Sequence, residues 1–331
     1  MQDIEDLIDR LKHTDWRVRN AAVTDLAKTK THAVEPLIDV LLHDTVSYVR
    51  ANAAKVLGEI SDPVSVEPLI AALQDPAEWV RSSAILSLGQ LRDPRAVQPL
   101  IEALHDPHPD VAQQAVSALG EIGDPRAATA LIAVLCDSDT NEGIRASTAI
   151  ALGWLRSSQA IDTLIAALND PSDRMRMWAA AALGRIGDKR AVESLINTLH
   201  DPNDFVRVEA VQALREIGDR REIFELIMAL DDPNAILRSE ATLALEKIGD
   251  SRAVEPLIVA LCDPDEWVRT CAAGALASTG DARALPELER VVREDKGTAE
   301  GFFLSVADVA QEAIDAISER TGKSRDNSVP N

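Results

Sequence analysis

The stretch from Asp75 to Leu104, DPAEWVRSSAILSLGQLRDPRAVQPLIEAL, decides the fold, because it recurs along nearly the whole chain. One arginine marks its register: Arg19, Arg50 and Arg81, then Ala112, then Arg145, Arg176, Arg207, Arg238 and Arg269. Successive marks stand 31 residues apart, except for 33 between Ala112 and Arg145, where SDTNEG lengthens the loop. A divergent last copy, VAQEAIDAI from Val309, follows after a spacing of 41, making ten copies between about residues 2 and 319.

Each copy holds two helical patterns. The first, as in AVEPLIVAL (Ala253 to Leu261), follows a helix-stopping Gly and a capping Asp; Asp62, Asp93, Asp124, Asp188, Asp219, Asp250 and Asp281 share that slot. The second, VRTCAAGAL (Val268 to Leu276), has apolar residues at helical spacing and follows a DP turn whose Asp can also cap. Two helices of about 10 to 14 residues joined by short turns form an antiparallel hairpin, and neither can bury its apolar face alone, so the hairpins must stack. Gly58, Gly89, Gly120, Gly153 and Gly184 recur inside the second helix. Glycine there costs about 1 kcal/mol against alanine, so its recurrence predicts a neighbouring helix backbone passing close by. Pro36, Pro68, Pro99 and Pro256 recur inside the first helix, past its first turn, where they are expected to bend it.

Composition agrees. Of 331 residues 46% are hydrophobic and only 3% aromatic (one Tyr, four Phe, five Trp), so the core must be built from Ala, Leu, Val and Ile. Lys plus Arg number 34 against 55 for Asp plus Glu, a net charge of −21, which opposes attraction to phosphate backbones or anionic lipid. Neither nucleic acid nor membrane is therefore expected as a partner. No apolar run approaches the ~20 residues of a membrane helix, and the start, MQDIEDLIDR, is acidic where a signal peptide is basic then apolar. Three cysteines, an odd number, read as thiols in a reducing compartment, which places the chain in the cytoplasm.

The consensus DPxxxVRxxAAxALGxIGDxRAVxPLIxAL resembles the HEAT-like repeats of the phycobilin lyase E/F type, over about residues 2 to 319. The resemblance and the periodicity together imply an all-α fold, a HEAT-repeat α-solenoid of about ten 31-residue hairpins in a curved right-handed superhelix. It forms one domain, 1–319, with capping hairpins at 1–28 and 283–319, and a polar tail, 320–331, expected to be disordered. Repeats of this type occur in bilin lyase subunits and in many scaffold proteins. Two functions follow: a non-catalytic scaffold or adaptor, or a phycobilin lyase subunit or bilin-binding chaperone, which would work as a heterodimer with another repeat protein.

Several constellations invite chemistry. The register arginines could line a phosphate groove, yet an Asp stands six residues before every register position from 50 to 269 (Asp44, Asp75, Asp106, Asp139, Asp170, Asp201, Asp232, Asp263). An Asp of one copy and an Arg of its own or the next copy can form a charge-assisted ladder. His43, His105, His200, Cys136 and Cys262 share a slot that Gln74, Asn169 and Asp231 fill elsewhere, which marks a frayed helix end; adjacent slots are ~10 Å apart, too far for one zinc ion. The His-Glu pairs of the di-iron enzyme deoxyhypusine hydroxylase, built on similar repeats, are missing, as are phosphate loops and triad signatures. No catalytic, cofactor or metal residue is assigned. Cys271 and the loop cysteines could be exposed, but none has the basic neighbourhood of an activated thiolate.

Aromatics carry the functional signal. Tyr48, Trp79, Phe205 and Trp267 all stand two residues before the register position, at the head of the second helix along one rim, with Trp16 one position away. They either cover joints between copies or anchor a partner. On the concave face, lined by the second helices, residues one, two, five and nine past the register should point outward. In two adjacent copies that set supplies Trp154, Met177, Trp178 and Arg185, an apolar centre rimmed by Gln113, Glu121, Glu209 and Glu216. Trp154 and Trp178 either receive a partner there or pack together where the longer spacing disturbs the stack. The expected partner is a protein or peptide.

Overall fold

In the computed structural model, residues 4–295 and 305–322 are described, and they form twenty α-helices and no strand. The chain divides into two compact units, Met1–Thr163 and Leu164–Asn331. Within the first, hairpins pair Ile4–Leu11 with Trp16–Lys28, Val34–His43 with Ser47–Ile60, Val66–Ala72 with Glu78–Leu91, Val97–Ala103 with Pro109–Ile122 and Ala128–Cys136 with Glu142–Trp154. The helix Ile161–Ala167 carries the division between the units. In the second unit, Asp173–Ile186 is followed by Val192–Thr198 with Asp204–Ile217, Ile223–Met228 with Ala235–Ile248, Val254–Ala260 with Glu266–Thr279 and Leu285–Glu294 with Val306–Gly322. The register expected from sequence is thus realised as nine helical pairs within the two units, with Ile161–Ala167 and Asp173–Ile186 at the division.

Two details differ from expectation. Most first helices are shorter, often seven residues, because a 3-10 turn such as Pro94–Ala96 or Lys189–Ala191 takes their opening turn. The capping Asp closes that turn: Asp93, for instance, accepts from the backbone N–H of Arg95 at 2.9 Å. Pro36, Pro68, Pro99 and Pro256 therefore fall third in their α-helices, inside the first turn, where the missing N–H is one of the unsatisfied donors anyway. They mark the change from 3-10 to α rather than a bend in mid-helix. The last helix runs through Gly322, and Arg320 donates to the carbonyls of Ala277 and Gly280, so residues 320–322 of the expected tail are helical. Residues 323–331 lie outside the described residues.

The core is aliphatic. On Glu78–Leu91, Val80, Ala84, Ile85 and Leu88 are fully buried, and so are Val66 and Leu69 of the first helix in the same hairpin. Close approach explains the glycine slot: a Cβ on Gly184 would lie 2.7 Å from the Cα of Ala213 in the next second helix, and one on Gly120 would strike Trp154 at 2.9 Å.

Arginine–aspartate forks lock successive copies. Arg81 donates from Nε and Nη2 to both carboxylate oxygens of Asp106, at 2.6 and 2.8 Å, and from Nη1 to the backbone carbonyl of Asp75 at 2.9 Å. The same bidentate fork joins Arg50 to Asp75 in the first unit, and Arg176 to Asp201, Arg207 to Asp232, Arg238 to Asp263 and Arg269 to Asp295 in the second. The pairing runs opposite to expectation: an Asp side chain takes the Arg of the preceding copy, while its own copy's Arg takes its carbonyl. Burial raises the carboxyls of Asp75, Asp106, Asp201 and Asp263, but the guanidinium and a backbone N–H two residues on outweigh it and hold them below the usual range. Ala112 interrupts the series. The Asp that stands 25 residues beyond it is Asp137, not Asp139, and it accepts from the Asp139 N–H and the Thr140 hydroxyl instead. Arg19 keeps the carbonyl bonds, to His13 and Thr14, but stacks on the Tyr48 ring instead of forking onto a carboxylate among the described residues.

A second ladder escaped the sequence reading. Arg95 and Arg126 clasp Asp93 and Asp124 of their own turns and reach back to the carbonyls of Pro63 and Pro94 in the preceding copy, and Arg221 does the same with Asp219 and Lys189. The GDxR spacing was its signal: an arginine two residues past the capping Asp sits over the previous turn. These arginines are about half exposed, so solvent screens each pair and it contributes little on its own.

Candidate functional site

Because each second helix begins at a cap four residues before the register position, the aromatic slot, two residues past the cap, lands on its first turn. Caps such as Asn203 and Asp265, whose side chains accept from the N–H groups of Phe205 and Trp267, fix that turn and aim the slot at solvent. Phe205 is 71% exposed, Trp79 53% and Trp267 39%. Tyr48 behaves differently: its hydroxyl donates to the carbonyl of Lys12 at 3.0 Å and Arg19 lies 4.9 Å over its ring, so it covers the joint between the first two copies. Trp16 is exposed, with Arg17 stacked 5.2 Å from its ring. The rim also carries links between copies, His108 to Glu78 and Asn203 to Asp173 at 2.7 Å. Trp79 and Phe205 are therefore presented by a tied framework.

The face of the second helices reaches solvent at most of the expected positions, although Ala146 and Ser239, one past the register, are buried. In the first unit, Gln113 and Glu121 are exposed, and Trp154 is exposed with its ring against the Gly120 position. In the second unit, Met177 and Trp178 are half-buried and Arg185, two turns on, is exposed. Further along the same face Gln212 donates to Glu240 at 3.0 Å, Arg215 pairs with Glu240, and burial together with Glu216 pushes the Glu209 carboxyl up while Arg185 opposes the rise. Trp154 belongs to one unit and Trp178 to the other.

The thiols are not set up for nucleophilic chemistry. Cys271 is buried rather than exposed, and burial, with Glu240 and Glu246 adding to it, pushes its thiol up to about 12. Cys262 is exposed but bonds to Glu287 at 3.0 Å, which raises it despite Arg290 beside it. Among the described residues no three His, Cys, Asp or Glu side chains converge as a metal cluster, and no helix is long and apolar enough to cross a membrane.

One residue went unnoticed in the sequence. Glu222 occupies the slot of Ala96, Ala127, Ala191 and Ala253, is fully buried, and has no hydrogen-bond partner on either carboxyl oxygen. Burial, reinforced by Asp219, pushes it up to about 8, so it is neutral at neutral pH. Reading the repeats slot by slot would have found it.

The HEAT repeats family model matches residues 4–88, 34–108, 66–142, 97–183, 132–215, 161–246 and 223–299. No curated protein matches the sequence significantly. Among solved structures, importin beta is similar with a TM-score of 0.70 at 14% identity, over 98% of this chain and 55% of that one. Kap95p, from a structure describing its binding to RanGDP, reaches 0.65 at 14% identity, over 97% and 53%. An engineered protein reaches 0.51 at 22% identity, over 96% and 99%. The chain thus spans about half the length of the two transport-receptor chains, and at these identities the likeness is one of fold. The matched segments run through almost every copy, and on that ground the chain belongs to the HEAT-repeat family.

Proposed function

We propose that this chain is a non-catalytic scaffold or adaptor that binds a protein or peptide partner through the heads and outer face of its second helices. The anchors are Trp79, Phe205 and Trp267 at the rim and Trp154, Met177, Trp178 and Arg185 on the face, with Tyr48 given mainly to the joint it covers. One observation carries this reading: of the eight aromatic residues described, seven are exposed and Trp178 is half-buried, so the core uses none of them. Large amphipathic rings kept outside an aliphatic core are what hot spots are made from. Importin beta and Kap95p share this fold, and the Kap95p structure holds a protein partner, which supports a protein ligand in kind.

The finer likeness to phycobilin lyase E/F repeats, and with it bilin handling in a heterodimer, rests on the repeat consensus alone; the raised thiols of Cys262 and Cys271 do not favour it. A cytoplasmic location is part of the same proposal. The test is quantitative capture from the native host with the wild-type chain and with a Trp79→Ala, Trp154→Ala, Phe205→Ala variant of unchanged melting temperature. A protein retained by the first and lost by the second supports the proposal. Identical captured sets, or a retained species that absorbs visible light as a bilin does, contradict it.

A further inference from the structure

Separate hollows lie between the C-terminal ends of successive first helices, and their lining differs from seam to seam. Between Val66–Ala72 and Val97–Ala103 the hollow is polar, lined by Gln74, Glu102, His105 and the Arg81–Asp106 fork. Between the seams of Asn169 and His200 the lining is again polar, with Ser194 and Asn197. Where Ile223–Met228 meets the copy before it, the hollow is a groove of about 450 Å³ lined by Phe224, Met228, Leu199 and Leu237. Phe224 is 60% exposed and Met228 70%.

The architecture does not ask for these two side chains. Phe224 stands in a slot filled by polar residues in other copies, among them Glu35, Glu67, Gln98, Glu193 and Glu255; Met228 stands in one filled elsewhere by Asp39, Glu102 and Asn197 or by the smaller Ala71, Ala133, Ala166 and Val259. The helix bearing them is only six residues long and passes into a 3-10 turn, Ala229–Asp231. At the rim, Glu225 and Asp231 line the groove and form no ion pair among the described residues. Arg252 lies 5.1 Å over the Phe224 ring, but its charge is engaged by Asp250 at 2.8 Å.

We propose that this groove docks a partner-protein segment carrying a bulky apolar side chain flanked by lysine or arginine. The apolar anchor covers Phe224 and Met228, with methionine adapting to its shape, while the flanking cation meets Glu225 and Asp231. A second copy of this chain is a poor occupant, because a net charge of −21 repels its own kind.

The test uses labelled short peptides read by fluorescence anisotropy: one with Leu and Phe anchors between lysines and arginines, one with the anchors changed to Ser, one with the cations changed to Glu. The variant Phe224→Glu, Met228→Asn carries side chains that neighbouring copies already use, and its melting temperature checks that it folds. The first peptide should bind the wild-type chain about tenfold more tightly than the other two, and about tenfold more tightly than the variant binds it, although the variant has one carboxylate more. Equal binding to the variant, equal binding of the Ser peptide, or no binding overturns the proposal. So does a wild-type dimer in sedimentation that the variant loses, which assigns the groove to a second copy. Val64→Ser, at an exposed apolar residue of the first unit, should leave the peptide affinity unchanged; a matching loss there means the peptide binds exposed apolar surface at large and overturns the proposal.

Discussion

Two seams of the first unit have the same helices and different locks. Where Glu78–Leu91 meets the copy that follows it, Arg81 grips the carboxylate of Asp106 with two hydrogen bonds and ties the turn of Asp75 with a third. One copy later Ala112 has nothing to offer Asp137, the loop gains two residues, and Asp137 closes on its own Thr140. The helices still stack, with Ala115, Val116 and Leu119 fully buried. Apolar packing therefore builds the stack, and the fork sets how firmly one copy holds the next.

Removing a fork should make an intact seam worse than the natural gap. Arg238→Ala leaves Asp263 largely buried without its guanidinium, and should cost about 3 kcal/mol in denaturant unfolding at pH 7. The fork carboxyls lie below their unfolded values, so their stabilisation is complete above about pH 4 and is lost as pH falls through the depressed folded values. The penalty of Arg238→Ala should accordingly shrink by pH 3. A cost that stays constant with pH would mean the arginine acts through packing alone.

The second unit has a weak point of another kind. Glu222 is raised when folded, so the unfolded chain releases its proton first, and folding is opposed increasingly as pH rises from about 4.5 to about 8. Glu222→Ala, the residue of the neighbouring copies, should gain about 2 kcal/mol at pH 8 and almost nothing at pH 4. An equal gain at both pH values would refute a buried neutral carboxyl.

Repairing the natural gap should have the smallest effect. Ala112→Arg can reach Asp137 only by competing with Thr140, at an exposed turn, so a gain of about 0.5–1 kcal/mol is expected by the same unfolding assay. Ala112→Arg combined with deletion of the two extra loop residues should gain more than either change alone.

Much of this was legible in the sequence. Hairpin number, register, glycine slots and the solvent-facing aromatic slot follow from a 31-residue period, because a repeated environment must recruit a repeated residue. Pairing direction was not legible, since Asp75 is six residues from Arg81 and 25 from Arg50, and closeness in sequence points to the wrong partner; only the stacked geometry sends the carboxylate one way and the carbonyl the other. Asp139 was taken for Asp137 because counting back from Arg145 crosses the inserted residues. Consensus reading also hid what breaks the consensus: Glu222, Phe224 and Met228 sit in one copy, and averaging over ten erases them.

The account rests on the fork as the lock between copies, and native-state hydrogen exchange of the wild-type chain tests that most directly. Position alone favours the middle, since repeat arrays fray from their ends. The fork account predicts the reverse within the first unit: amides of Pro109–Ile122 and the loop after Asp137 should open about 1 kcal/mol more readily than those of Glu78–Leu91, whose fork is complete. Equal protection of the two helices, or stronger protection of Pro109–Ile122, would contradict it.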